Sequence, residues 1–231
     1  MPVRFPLSDL ARTGVRRIGH EREPLLVIDG AMAQPAALVE AAAASDFQPA
    51  YGPAGGYPGL RAAAPLDYVG DMVRVLARGI VAAFALDPAA RPRRAECNFS
   101  LVTLPPDRLV PTQRAPHVDT ADPHQFAILH YLCDPAFGGT AFFRHRATGF
   151  EALTPDRLPA YEAARAAEAV GQGYAGDDAA FRRIDAVEAA FDRVVVYRSR
   201  LLHSGIIREP SLLTDDPRTG RLTANIFLTL R

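Results

Sequence analysis

The feature of this sequence that most limits its fold is a change of pattern near Ala95. From there to the C-terminus, short segments rich in β-branched and aromatic residues alternate with segments rich in turn-forming residues. The strand-like segments are 95–104, 126–133, 139–144, 193–197 and 221–230. Several short strands separated by turns are typical of a sandwich or barrel.

The N-terminal third has a different pattern, with one strand and two helices. Residues 24–29 predict a short buried strand, and the Ala-rich segment 35–45, which starts with Pro, predicts a helix. Apolar residues recur at helical spacing over roughly 66–85, which predicts a second helix. Residues 51–59 contain so many Gly and Pro that we expect a loop without regular structure.

A charged, Ala-rich stretch over about 155–190 interrupts the strand pattern. It predicts two helices, broken at 171–176 where Gly recurs. The chain is therefore predicted to be mainly β with a helical annex (α+β) in one domain, 1–231. Within it, 1–94 supplies the N-terminal strand and supporting helices, and 95–231 supplies the core with the helical insert.

Composition excludes several classes of function. All 26 basic residues are Arg, so no Lys is present for a Schiff base or a phosphate-binding loop. Equal numbers of acidic and basic residues give no overall field that would attract nucleic acid or an anionic membrane. Cys97 and Cys133 are too few for a disulfide framework and indicate a reducing compartment. With no apolar leader and no apolar run long enough to cross a membrane, we expect a cytoplasmic protein.

The motif His117-Val118-Asp119 carries the strongest indication of chemistry. On a strand, residues i and i+2 point to the same face, so both side chains could reach one metal ion. His203 follows the strand-like segment RVVVY and is the candidate for a third ligand. Two imidazoles and one carboxylate suit Fe(II) better than Ca or Mg, and they leave three coordination positions for a co-substrate and O₂.

The last predicted strand has two different faces. Its apolar face carries Leu222 and every second residue after it, whereas Arg221 and Thr223 begin the other face. An Arg at such a position is suited to hold a carboxylate through two hydrogen bonds, and the Thr hydroxyl could add another.

The order of these residues resembles the 2-oxoglutarate/Fe(II)-dependent dioxygenase superfamily, particularly its prolyl-hydroxylase-like branch. In that branch a His-x-Asp, a distal His and a later Arg-x-Ser/Thr follow one another along the chain. The segment 129–143 (LHYLCDPAFGGTAFF) is similar to a segment that links two core strands there. Segments 57–62 (YPGLRA) and 116–120 (PHVDT) also resemble an uncharacterised bacterial family of the superfamily.

The resemblance implies a fold and a set of roles. The fold is a double-stranded β-helix (jelly roll, cupin-like) packed against the N-terminal helices. His117, Asp119 and His203 would bind Fe(II), and Arg221 would bind the distal carboxylate of 2-oxoglutarate. Thr223 would supply the partner hydroxyl, and His130 occupies a position where the branch often has a Tyr that contacts 2-oxoglutarate.

The implied reaction is an O₂-dependent hydroxylation of an aliphatic carbon in an amino acid, peptide or small metabolite. We expect a small-molecule or peptidyl substrate and no nucleic acid or membrane partner, and a homodimer remains open. The fold does not identify the substrate.

Two departures and two other interpretations stay open. The spacing from His203 to Arg221 is longer than usual, and the helical insert is absent from the simplest members. The alternatives are a cupin-like metal enzyme that does not use 2-oxoglutarate and a non-catalytic jelly-roll binding module.

His124 and His145 are competing ligands that we expect on the surface. Tyr57 and Arg61 are either turn residues or substrate contacts.

Overall fold

The computed structural model describes residues 5–231, which form three helices and eleven strands. The helices are α1 (Pro35–Ala43), α2 (Leu66–Ala83) and α3 (Leu158–Arg165). The strands are β1 (Arg12–Ile18), β2 (Glu23–Asp29), β3 (Gln48–Gly52), β4 (Gly55–Ala63), β5 (Pro92–Val102), β6 (Gln125–Tyr131), β7 (Gly139–His145), β8 (Phe181–Glu188), β9 (Arg193–Arg198), β10 (His203–Ile206) and β11 (Arg221–Leu230).

The strands form two antiparallel sheets. The larger sheet has eight strands in the order β1-β2-β9-β6-β11-β5-β4-β3, and the smaller sheet has the order β10-β7-β8. His117 pairs with His203 beside β10, so the segment around His117 extends the smaller sheet. From β5 onward the chain passes repeatedly between the two sheets, which is the connectivity of a double-stranded β-helix. The predicted fold class is confirmed.

The outer face of the larger sheet is covered by α1 and α2. Helix α2 buries one apolar face, and the apolar face of β11 packs into the same core. Burying each large apolar side chain contributes roughly 1.5–3 kcal/mol. The residues that form this contact include Tyr68, Met72, Leu76 and Ile80 of α2 and Leu222, Ala224, Ile226 and Leu228 of β11.

The inner face of the larger sheet packs against the smaller sheet. This second core includes Tyr131 and Tyr197 from the larger sheet and Phe142 from the smaller one. A third apolar cluster, containing Phe143 and Phe181, covers the outer side of the smaller sheet under the segment that includes α3. The apolar packing between the sheets leaves one region open, where polar side chains line a cavity.

The Gly- and Pro-rich segment 51–59 is part of a β-hairpin, so the predicted loop is wrong. β3 pairs with β4, and β4 pairs with β5 at the edge of the larger sheet. Gly55 and Gly56 adopt φ values of 117° and 104° at the hairpin turn, a region that favours glycine. At Gly59 a Cβ would lie 2.0 Å from the Leu101 carbonyl oxygen, so the glycine permits the close approach of β5. These glycines serve strand pairing and do not interrupt it.

The stretch 155–190 contains one helix, and the second predicted helix is wrong. After α3 the chain forms a loop and then β8, which pairs with β7. Phe181 and Val187 are buried in β8. Together with the pairing to β7, this burial stabilises a strand in a segment that was predicted to be helical.

Two further strands, β1 and β10, were also not predicted. β1 is an edge strand whose residues are exposed except for Ile18, so it has no alternating pattern. β10 has four residues. Cys97 and Cys133 are both free thiols. Within residues 5–231 no helix has the length and hydrophobicity required to cross a membrane.

Candidate metal centre and its cavity

Two of the predicted ligands are direct cross-strand neighbours. The backbone N–H of His117 donates to the His203 carbonyl at 2.9 Å, and the N–H of His203 donates to the His117 carbonyl at 2.9 Å. Paired residues of antiparallel strands project to the same face. The two imidazole rings accordingly lie with their centroids 4.5 Å apart.

Asp119 joins the two histidines because it lies two residues beyond His117. Its backbone N–H donates to the Ser199 carbonyl at 2.8 Å, which holds the segment against the loop before β10. The Asp119 carboxylate lies 4.0 Å from Nε2 of His117 and 3.8 Å from Nε2 of His203. The ligand atoms of the three residues all lie within 4.8 Å of one another, so small side-chain rotations would let one ion contact all three.

The His203 imidazole is held in one orientation by the backbone. Its Nδ1 lies 2.8 Å from the Leu201 carbonyl oxygen, which can only accept a hydrogen bond. In the neutral ring this places the proton on Nδ1 and leaves the lone pair of Nε2 directed at the site. The ring also contacts Tyr197 edge-on, with centroids 4.8 Å apart.

The electrostatics of the three side chains favour a bound cation. Burial raises the pKa of the Asp119 carboxyl, although the neighbouring His117 acts in the opposite direction. The pKa of His203 is lowered to about 4, mainly by burial. The pKa of His117 is lowered by desolvation and by His203, even though 54% of its side chain is open to the cavity. Two neutral imidazoles beside a desolvated carboxylate are the forms that ligate a metal.

The three side chains line a cavity of about 430 Å³ between the two sheets. Strands β4, β6, β10 and β11 contribute to its wall, as do the segment before β6 and Tyr174 of the loop after α3. The Tyr174 hydroxyl donates to the Leu104 carbonyl at 2.6 Å, which ties that loop to the end of β5. The stretch 155–190 therefore supplies part of the cavity wall.

Arg221 and Thr223 line the same cavity from the start of β11. The Arg221 side chain is buried, and its Nη2 donates to the Gly139 carbonyl at 2.7 Å. Its Nε is buried without a hydrogen-bond partner. The Thr223 hydroxyl donates weakly, at 3.4 Å, to the Ser100 carbonyl. Arg221 thus has a buried donor that a ligand could satisfy.

His130 lies outside this cavity, and the expectation for it is corrected. It alternates on β6 with Leu129 and Tyr131 and points to the opposite face of the sheet, into the helix-facing core. Its Nδ1 lies 3.0 Å from the Tyr68 hydroxyl, and its Nε2 lies 3.0 Å from the Asp192 carboxylate. Both nitrogens have protein partners, so His130 has a structural role.

The aromatic hydroxyl beside Arg221 belongs to Tyr57, for which a turn residue and a substrate contact were both open interpretations. Its hydroxyl is buried near Thr223 without a well-formed hydrogen bond, and burial raises the pKa of Tyr57 while Arg221, Arg61 and Thr223 act against the increase. Arg61 lies four residues further along β4, with its guanidinium 4.6 Å from the centre of the Tyr57 ring. The alternation of Tyr57, Gly59 and Arg61 was the available signal, since these residues share one face of a strand.

The two competing histidines do not reach the site. His124 is exposed in the loop before β6, as expected. His145 is buried, which corrects the expectation of a surface position: its Nδ1 lies 2.8 Å from the Thr148 hydroxyl and its Nε2 lies 2.9 Å from the Glu168 carboxylate.

Comparisons with known proteins identify the family. A solved structure similar to this chain is that of the non-heme alpha ketoglutarate dependent epimerase SnoN from nogalamycin biosynthesis, with a TM-score of 0.49 and 16% identity over 91% of this chain and 80% of that chain. No curated protein matches the chain. A family model described as a family of unknown function, DUF6445, matches residues 10–228. Because that match spans almost the whole sequence, the chain belongs to the DUF6445 family.

Proposed function

We propose that this protein is a non-haem Fe(II), 2-oxoglutarate-dependent oxygenase. The observation that carries the proposal is that His117, Asp119 and His203 converge in the cavity that also contains the buried guanidinium of Arg221. A 2-His-1-carboxylate set with open positions is typical of non-haem Fe(II) oxygenases. A guanidinium in the same cavity supplies the complement to a dicarboxylate co-substrate.

The donor set fits Fe(II). Imidazole nitrogen and carboxylate oxygen are both ligands of this ion. Desolvation favours the neutral state of both imidazoles, and for His117 the neighbouring His203 adds to the effect. His117, Asp119 and His203 would hold the metal from one side and leave the cavity side free. When bound, Fe(II) and 2-oxoglutarate supply the activation of O₂.

The side chains around the metal would bind and orient 2-oxoglutarate. Arg221 would donate to the distal carboxylate through its unpartnered Nε, and Tyr57 would donate through its unpartnered hydroxyl. Thr223 could exchange its long bond to the Ser100 carbonyl for a bond to the same carboxylate. Tyr197 and Phe227 line the apolar part of the cavity and would exclude water.

The reaction that we propose is oxidation of an aliphatic C–H bond in a small substrate. Compounds of this kind bind in cavities of roughly 300–1,000 Å³, and the cavity measures about 430 Å³. Assignment to the prolyl-hydroxylase-like branch remains part of this proposal and rests on the order of the motifs along the chain.

An anaerobic titration tests the proposal. Fe(II) is added to the metal-free protein, followed by 2-oxoglutarate, and the visible spectrum is recorded for a weak charge-transfer band. Exposure to O₂ should then yield succinate. Arg221→Gln should weaken 2-oxoglutarate binding about 10- to 100-fold, since hydrogen bonds to a charged group contribute about 1.5–3 kcal/mol.

Arg94→Gln is the matched control, because Arg94 is on the neighbouring strand β5 with 74% of its side chain exposed. It should bind 2-oxoglutarate like the wild type. Metal binding with neither a band nor succinate would contradict the use of 2-oxoglutarate and would favour a metal enzyme of another class. If the protein retains no metal after chelation and re-addition, the remaining interpretation is a non-catalytic binding module.

A further inference from the structure

We infer that the substrate oxidised in this cavity carries a carboxylate and that Arg61 binds it. The inference rests on the proposed function and assigns to Arg61 a role separate from that of Arg221. Arg61 lies on β4 and lines the cavity, and its cross-strand partner on β5 is Ser100.

Arg61 is oriented within the cavity but has no partner there. Its guanidinium lies over the ring of Tyr57, and its Nε is buried without a hydrogen bond. None of the ion pairs found among residues 5–231 includes Arg61. A buried polar group without a partner costs free energy, so a ligand that satisfies it is stabilised.

The balance of charge indicates what that ligand is. Asp119 is the one acidic side chain that lines the cavity within the described part of the chain. Fe(II), the Asp119 carboxylate, the Arg221 guanidinium and the 2-oxoglutarate dianion together carry no net charge. Arg61 then adds one positive charge that nothing else in the cavity balances, and a monoanionic substrate would complete it.

The chemistry of Arg61 favours a carboxylate over a neutral polar group. A guanidinium donates two parallel hydrogen bonds to a carboxylate, and these are stronger than bonds to a neutral amide. The stacking on Tyr57 holds the guanidinium in place, so less side-chain freedom is lost when the substrate binds. The inferred substrate class is therefore a small aliphatic or aromatic carboxylic acid.

The test compares acids with their primary amides. The protein is loaded with Zn(II), which is redox-inactive, and with saturating 2-oxoglutarate. Binding is then measured by ligand-observed NMR for matched pairs, N-acetyl-L-leucine with N-acetyl-L-leucinamide and hydrocinnamate with hydrocinnamide. Each pair differs only in the group that Arg61 would contact. We expect the wild type to bind at least one of the acids tenfold or more tightly than its amide.

Variants at the same position assign the preference to Arg61. Arg61→Gln should abolish the preference for the acid, whereas Arg61→Lys, which keeps the charge, should retain part of it. Both variants should bind 2-oxoglutarate within about twofold of the wild type. Retention of 2-oxoglutarate binding also verifies that each variant is folded.

Three results would overturn the inference. The first is equal binding of acids and amides by the wild type, including the case in which none binds. The second is loss of 2-oxoglutarate affinity in Arg61→Gln together with the acid preference, because Arg61 would then serve the co-substrate. The third is an absence of 2-oxoglutarate binding by the wild type. That result is the separate failure of the proposed function, and it removes the charge balance from which the role of Arg61 is inferred.

Discussion

Glu151 holds a turn of the chain through a buried carboxylate. The carboxylate accepts hydrogen bonds from the backbone N–H groups of His20 and Glu21, each at 3.0 Å, and from Nε of Arg144 at 2.7 Å. Gly19 lies against it with φ of 65°, where a Cβ would come within 2.0 Å of the carboxylate. One side chain thus connects the β1–β2 turn to β7 of the other sheet.

Glu151→Gln should destabilise the protein by about 3 kcal/mol, because it leaves Arg144 without a charged partner and removes an acceptor that is 1% exposed. The effect should depend on pH. Burial by itself would raise the pKa of Glu151, but the N–H groups of Glu21 and His20 and the Arg144 guanidinium hold that pKa below its ordinary value of 4.5. A lowered pKa gives stability above the unfolded value that is lost as pH falls through the folded one.

The measurement is urea denaturation of the wild type and of Glu151→Gln from neutral pH down to acid. The difference in unfolding free energy between the two proteins should shrink below about pH 4.5. Glu162→Gln, at an exposed position of α3, is the control and should change stability little at any pH. A difference for Glu151→Gln that is independent of pH would contradict this account.

At the scale of elements, α2 ends in a conformation that its sequence does not favour. Ala85 adopts φ of 51° directly after the helix, a position where glycine is common. A non-glycine residue there costs roughly 1–2 kcal/mol. The buried side chain of Phe84 and the hydrogen bond from Leu86 N–H to the Val81 carbonyl keep the chain in this conformation.

Ala85→Gly should stabilise the protein by a few tenths to about 1 kcal/mol, since relief of the left-handed strain exceeds the added entropy of the unfolded chain. Ala82→Gly, at an exposed position in the last turn of α2, should instead destabilise it by a few tenths to about 1 kcal/mol. Chemical denaturation of both variants measures the difference. If both lower the stability by the same amount, Ala85 is not strained.

At the scale of the whole molecule, the candidate metal centre joins distant parts of the chain. The His117 segment and β10 meet through the pairing of His117 with His203. An ion bound by both segments and by Asp119 would bind the folded state and not the unfolded one. Metal binding should therefore stabilise the fold as a unit.

Zn(II) or Mn(II) should raise the melting temperature of the metal-free protein. At a free concentration 100 times the dissociation constant, the expected gain is about 2.7 kcal/mol. Asp119→Ala should abolish the increase, whereas Asp107→Ala, at an exposed position on another turn, should retain it. Equal increases in both variants would mean that the metal binds elsewhere.

Much of the fold followed from local patterns. The helical spacing of apolar residues predicted α2, because a helix that packs on a sheet needs an apolar face. The alternation along β11 predicted which residues face the helices and which face the cavity. The spacing of His117 and Asp119 placed them on one face for the same reason. These properties depend on neighbours within a few residues, and the sequence is sufficient for them.

Other features were decided only when distant segments packed together. The hairpin of β3 and β4 and the strand β8 formed because partner strands were present, although their sequences favoured a loop and a helix. The same packing turned His130 away from the cavity and brought Tyr57 and Arg61 into it. The sequence shows the alternation of residues along a strand, but the partner strands determine which face lines a cavity. The reason is that hydrogen-bond pairing and burial act between segments that are far apart in the chain.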